Sequence, residues 1–167
     1  MATKKPYKLD RVAIRMVKER PLLSDELVNS PDLVVKLMQE LLKDYDREVY
    51  AIVNFQSNLQ PINMNIVSVG ALNASLVHPR EMLKSVVLSN AASVMLIHNH
   101  PGGVMRPSNE DKDITVRVAE VMKLMEVNLL DHIIVGPDKQ YYSFYEHSEP
   151  SLSGEAPNKK RSRDLER

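Results

Sequence analysis

Apolar positions along this chain recur at two periods, and the two alternate. From Ser30 to Tyr45 the run SPDLVVKLMQELLKDY predicts a helix. Ser30 can cap its N-terminus. Pro31 suits the first helical position, where a missing N–H is no loss, and Asp32 faces the positive helix end. Leu33, Leu37, Met38, Leu41 and Leu42 form one apolar stripe. REVYAIVNF (47–55) and INMNIVSVG (62–70) predict strands. HPREMLKSVVLSNA (78–91) predicts a second helix, with Pro79 near its start, and SVMLI (93–97) a short apolar strand running into His98. SNEDKDITVRVAEVMKLMEV (108–127) predicts a third helix, its stripe passing through Ile114, Val118, Val121, Met122 and Met125. LLDHIIVG (129–136) and QYYSFY (140–145) complete the pattern as strands. Strands interleaved with single helices imply an α/β sheet covered by helices.

The pattern fades at both ends. Residues 1–30 are mixed, with turn signals at Pro6, Pro21 and Ser24, and are expected to form a partly ordered lead-in. From His147 onward the chain is polar and rich in Ser, Pro and charge, so 147–167 is expected to be a disordered tail. One domain over 31–146 remains. The 167 residues are enough to bury a core without staples.

Composition removes several classes of function. With no cysteine there is no disulfide, no thiolate zinc finger and no cysteine nucleophile. No apolar run approaches the roughly 20 residues of a membrane span, and the N-terminus lacks an apolar signal core. The expectation is a soluble, cytoplasmic protein with no membrane partner. Charge balances at 22 basic against 22 acidic residues, without the basic footprint of nucleic-acid domains. Two Phe, six Tyr and no Trp supply a base-stacking platform poorly. KKRSR in the tail is a weak nucleic-acid hint and reads better as solvated charge.

The chemistry concentrates in HNHPGGVMRPSNEDKD (98–113). On an extended chain, residues i and i+2 point to one face, so His98 and His100 aim at one point. Pro101, Gly102 and Gly103 then turn the chain, and Asp111 falls in the first turn of the next helix. Two imidazoles and a carboxylate are three ligands of the kind that zinc (Zn2+) takes at a catalytic site, where a fourth position stays open for water. A plainer reading competes: SNED resembles a capping box, with Ser108 at the N-cap and Asp111 reaching back, and that alone accounts for both residues. The letters HNH are not the nuclease motif of that name, which is spread over a long ββα unit. His132 alternates with Leu130 and Ile134 on a strand face and reads as a core or supporting histidine. His78, before Pro79, reads as a helix-start residue.

The spacing H-x-H, seven residues, S, two residues, D is that of the JAMM metalloprotease motif of JAB/MPN domains, here His98, His100, Ser108 and Asp111. VGALNASLVHPREMLKSVVLSNAASVMLIHNHPGG resembles the bacterial RadC branch of that family, and the likeness covers roughly 31–146. The resemblance implies a cytidine-deaminase-like layered α/β fold with a mixed sheet. It implies a zinc site at His98, His100 and Asp111, a glutamate general base from an upstream strand, and the motif serine as a partner for the oxyanion. Glu40, Glu48 and Glu81 are candidates for the base. Family members carry theirs at the start of the first core strand, which selects Glu48, with Glu81 the runner-up. The implied reaction is hydrolysis of a peptide or isopeptide substrate.

Two departures from the family pattern bear on function. RadC relatives usually carry an N-terminal helix-hairpin-helix module that grips DNA, and only about 40 residues precede the first core strand here. A DNA-linked role is weakened accordingly. In the metal loop Val104, Met105 and Arg106 replace a more polar stretch without changing its length. The alternatives are a non-catalytic MPN-like binding module associated with DNA repair or processing, and a non-haem iron enzyme, since two His and a carboxylate also suit Fe(II).

Overall fold

The computed structural model describes residues 13, 15–19, 21–22, 31–70 and 78–154. The elements run α1 (Pro31–Leu42), β1 (Val49–Phe55), β2 (Pro61–Val69), α2 (Pro79–Leu88), β3 (Ser93–Asn99), α3 (Asn109–Leu124), β4 (Asn128–Val135) and β5 (Tyr141–Ser143), with 3-10 turns at Pro137–Lys139 and Pro150–Ser153. Each predicted helix and strand is present. The five strands form one mixed sheet in the order β2-β1-β3-β4-β5. β3 and β4 pair in parallel through the α3 crossover, and the other neighbours are antiparallel.

β1 and β3 are buried at every residue, as central strands covered on both faces must be. On one face Val34, Met38 and Leu42 of α1 pack against Ala51, Val53, Phe55, Met95, Ile97, Ile133 and Val135. On the other, Met82 and Val86 of α2 with Ile114, Val118 and Met122 of α3 cover Tyr50, Ile52, Val94 and Leu96. The result is a three-layer α/β domain. Met38, Leu42, Met82 and Leu96 are all fully enclosed. Truncating any of them to Ala should destabilise by about 2–5 kcal/mol. β2, at the edge, is half exposed along its length.

Two expectations need correction. The buried line of α1 is Val34–Met38–Leu42, one position round from the predicted stripe at its N-terminal end. The unbroken Leu33-Val34-Val35 run allowed either face, and packing on the sheet chose the i, i+4, i+8 set. The chain also does not leave the domain at His147. Pro150–Ser153 forms a turn with Ser151 buried, Lys112 on α3 pairs with Glu149 at 2.9 Å, and His147 stacks on Tyr142 at 4.0 Å between centroids. The segment looked like a tail because it is polar, yet Glu149 and His147 find partners on α3 and β5. Residues 155–167 and most of the lead-in, including Pro6, Ser24 and the expected cap Ser30, lie outside the described residues. Among the described residues no helix is long and apolar enough to cross a membrane.

Candidate metal centre

The two histidines sit where β3 ends, at the carboxyl edge of the parallel β3–β4 pair, a usual place for sites in α/β sheets. His98 is the last inward-facing residue of β3 and fully buried. His100 continues the line: its N–H donates to the Val135 carbonyl at 2.9 Å, extending the β3–β4 pairing by one bond. The chain then reverses. Gly103 N–H donates to the His100 carbonyl at 3.0 Å, and Gly103 takes φ 74°, a left-handed conformation that glycine adopts without steric penalty. Met105 of the same loop packs on Gly136 where a Cβ would otherwise stand, which gives this departure from the family pattern a structural role.

Asp111 comes to the histidines because of how α3 starts. Ser108 is the N-cap in extended conformation; its hydroxyl oxygen accepts from Asp111 N–H at 3.0 Å, and its own N–H donates to Asp111 Oδ2 at 2.8 Å. The capping box is therefore real, and it does not exclude a metal site. It turns the Asp111 carboxylate inward, with Oδ1 3.1 Å from His98 Nε2 and Oδ2 3.4 Å from His100 Nε2. The two Nε2 atoms are 3.0 Å apart. All three prospective ligand atoms lie within 4.8 Å of one another.

The donor set fits a cation. A carbonyl oxygen only accepts, so the 2.5 Å contact between His100 Nδ1 and the Val104 carbonyl puts a proton on Nδ1. In the neutral ring Nε2 then carries a lone pair facing inward. Asp111 accepts from Tyr50 Oη at 2.5 Å, from Ser108 N and from Ser108 Oγ at 2.6 Å, which uses three of its four lone-pair sites. A shared proton relieves one of the contacts between these acceptors; a divalent cation relieves them together.

The electrostatics of His98 and Asp111 agree, whereas His100 leans toward its charged form, which a bound cation would have to displace. Burial pushes His98 below its usual range and so keeps it neutral, as a ligand must be. Burial acts the same way on His100, but hydrogen bonds to Asp111 and Val104 outweigh it and raise its pKa. Burial would raise Asp111 too, and the hydrogen bonds it shares with His100 and His98 reverse this, holding it ionised.

Glu48 lies two residues before Tyr50, which pairs with His98 across β1 and β3. By alternation it takes the same side of the sheet as the histidines. It is half-buried, and its charge is close enough to favour protonation of both His98 and His100. Among the described residues its carboxylate has no hydrogen-bond or ion-pair partner. Glu81 is exposed on α2 and bound by Lys84 at 2.6 Å, and Glu40 is likewise taken by Lys43 at 2.6 Å on α1. His78 is exposed at the N-cap of α2 and makes no side-chain cap bond. His132 is fully buried behind His98, with its Nε2 2.8 Å from His98 Nδ1, as a supporting histidine rather than a fourth ligand.

Reading the sequence missed three residues. Tyr50 stacks on His98 at 4.2 Å while bonding Asp111. Asn99, between the two histidines, faces the other way: its Oδ1 accepts from Val49 N–H at 2.7 Å and its Nδ2 donates to the Arg47 carbonyl at 3.1 Å. Those bonds grip the backbone on either side of Glu48, whose own carbonyl accepts from Gly70 N–H at 2.8 Å. They also explain why β1 starts at Val49 and not at Arg47. Thr115, one turn beyond Asp111, joins the site through His132. Its i, i+4 spacing from Asp111 was the available signal.

A layered α/β domain with an inward-facing His-His-Asp set at the end of a central strand is the class that fold and site define. Comparison with known families makes it specific. The profile of the RadC-like JAB domain matches residues 28–149, and the chain belongs to that family. It is 37% identical over 132 residues to a UPF0758 protein of Desulfitobacterium hafniense, covering 79% of this chain and 57% of the relative. A UPF0758 protein of Rubrobacter xylanophilus is 41% identical over 121 residues, 72% of this chain and 52% of that one. One from Clostridium acetobutylicum is 42% identical over 119 residues, with 71% and 52% covered. The chain thus spans about half the length of the curated relatives it matches.

Proposed function

We propose that this domain is a zinc-dependent hydrolase of the JAMM type that cleaves peptide or isopeptide bonds, acting in the cytoplasm. The observation that carries the reading is the convergence of His98, His100 and the Asp111 carboxylate, and a Glu48 charge that reaches both histidines supports it. The JAB/MPN family includes metalloproteases, which gives the chemistry a precedent.

His98 Nε2, His100 Nε2 and Asp111 would hold the ion. Bound there, zinc would supply Lewis acidity and make water a competent nucleophile near neutral pH. Glu48 takes a proton from the attacking water and returns it to the leaving amine, a role worth roughly 10²–10⁴-fold. Ser108 can donate to the oxyanion, although its hydroxyl proton here points to Asp111 Oδ2, so it must rotate to do so. Beside His100 a hollow of about 210 Å³, lined by Leu42, Tyr45, Val135 and Pro137 and also by Lys43 and Asp46, offers room for a side chain flanking the scissile bond.

The test begins with the metal. The purified protein should hold about one zinc per chain after dialysis against clean buffer, and His100→Ala and Asp111→Ala should lose it. An isopeptide library should be cut by the wild type and spared in the presence of chelator. Equal zinc in wild type and variants would refute the site. Iron in place of zinc would favour the oxygenase-like alternative.

A further inference from the structure

His98 does not support its ring in the way metal-binding histidines commonly do, by giving the second N–H to a carboxylate, a carbonyl or water. It gives it to another imidazole, and the direction of every proton in that chain follows from its far end. Thr115 Oγ1 lies 2.5 Å from the Asp111 main-chain carbonyl, which only accepts, so the threonine proton points there. Thr115 Oγ1 is also 2.6 Å from His132 Nδ1. Its one proton is spent, so it accepts, and His132 carries its proton on Nδ1. A His98 ring that binds through Nε2 keeps its own proton on Nδ1, and at 2.8 Å the His132 Nε2 accepts it, which agrees with a His132 proton on Nδ1. His98 Nε2 is left unprotonated and directed at Asp111 and His100. Every atom in this path is buried.

From this closed path we infer that Thr115 and His132 are positioning residues. They fix the ring orientation and tautomer of His98 by tying it to the backbone of the same helical turn that presents Asp111. The inference rests on the reading of His98, His100 and Asp111 as a metal site. The relay is neutral throughout, so it orients His98 without adding the negative charge that a carboxylate would place behind the ion. One hydroxyl, Thr115, thus bears on both sides of the metal site: it supports His98 through His132 and holds the carbonyl of Asp111.

Four variants test this on the zinc-titrated full chain. Thr115→Val keeps the shape and removes the hydroxyl; Thr115→Ser keeps the hydroxyl. His132→Leu fills the space without either nitrogen, while His132→Gln offers an amide oxygen to His98 and an amide N–H to Thr115. The inference expects zinc affinity to fall by roughly 10–100-fold in Thr115→Val and His132→Leu, with Thr115→Ser and His132→Gln recovering most of it. Nitrogen-15 imidazole spectra of the zinc-loaded wild type should show His132 and His98 both protonated on Nδ1. Protonation of His132 on Nε2, or wild-type zinc affinity in both Thr115→Val and His132→Leu, would overturn the inference. So would a loss that Thr115→Ser and His132→Gln fail to restore while near-ultraviolet circular dichroism shows all four folded. Should Thr115→Val and His132→Leu fail to fold, the imidazole spectra decide alone. Failure of the underlying site would look different, because the wild type itself would then bind no zinc.

Discussion

The hydroxyl of Tyr50 stands 2.5 Å from Asp111 Oδ1, and the ring that carries it lies on His98 at 4.2 Å, 10° from parallel. One side chain thus sets the angle between two prospective ligands that arrive from different elements, β3 and α3. Burial, helped by the Asp111 charge, pushes the Tyr50 phenol far above its ordinary range, so it remains a donor at any working pH.

Tyr50→Phe separates the two contacts, since it keeps the stacked ring and removes the hydrogen bond. A bond to a charged group contributes about 1.5–3 kcal/mol, and the metal-free variant should lose stability on that order in urea unfolding with chelator present. Zinc affinity should fall by roughly tenfold. Unchanged stability and unchanged zinc affinity would show that Tyr50 only fills space.

Ser108→Ala removes the hydroxyl that accepts from Asp111 N–H and donates to Oδ2, while the backbone bond from Ser108 N to Oδ2 survives. The expected loss is on the order of 1 kcal/mol, the usual value of an N-cap. Turnover should slow with zinc retained, because a donor to the oxyanion has gone. A variant with a lower melting temperature and full turnover would leave Ser108 as a cap alone.

How much of this was legible in the sequence depends on whether a residue's role is local. Ser108 and Asp111 are three apart, and their capping box could be read from the letters. His98 and His100 are two apart on an apolar strand, so their common direction could be read too. Asn99 was not legible: its partners, Arg47 and Val49, are 52 and 50 residues away, and only the β1–β3 register brings them together. The alternation that aims the histidines to one face of the sheet aims Asn99 to the other, a hint without a partner. Tyr50 depended on the same register. The end of the domain was misplaced for a related reason, since the ties of Glu149 to Lys112 and Tyr142 span 37 and 7 residues and leave no mark in local composition.

The segment after Phe144 should respond to pH through Glu149. Burial alone would raise the Glu149 pKa, but hydrogen bonds from Lys112 and Tyr142 bring it below its ordinary 4.5. A depressed carboxylate stabilises the fold above that ordinary value, and the contribution is lost as pH falls through the lower folded value. Hydrogen-exchange protection at residues 147–152, taken relative to the intrinsic rate at each pH, should therefore fall in acid before that of the sheet, and Glu149→Gln should weaken the segment already at pH 7. A chain ending at Glu146 should melt lower by roughly 4 °C or more, and one ending at Gly154 should match the full length. Equal melting of all three would return this segment to the status of a tail.

The glutamate distinguishes an enzyme from a scaffold. Glu48→Gln keeps the size of the side chain and removes the base, and the backbone bonds from Asn99 and Gly70 that hold this stretch do not involve the carboxylate. Glu48 is not among the three prospective ligands. Zinc content and melting temperature should thus survive the change, while peptide or isopeptide hydrolysis falls by at least about 10²-fold. Glu81→Gln is the matched control. It breaks only an exposed pair with Lys84 on α2, so both activity and zinc should be kept. Hydrolysis lost in Glu81→Gln and kept in Glu48→Gln would mean that the wrong glutamate was assigned. Full hydrolysis in both would exclude a carboxylate base at either position. A wild type that binds zinc, cuts nothing in an isopeptide library and still supports the host through its fold alone would favour the binding-module alternative. Loss of zinc in Glu48→Gln would be the most informative surprise, because it would make Glu48 a ligand and leave the site without its proposed base.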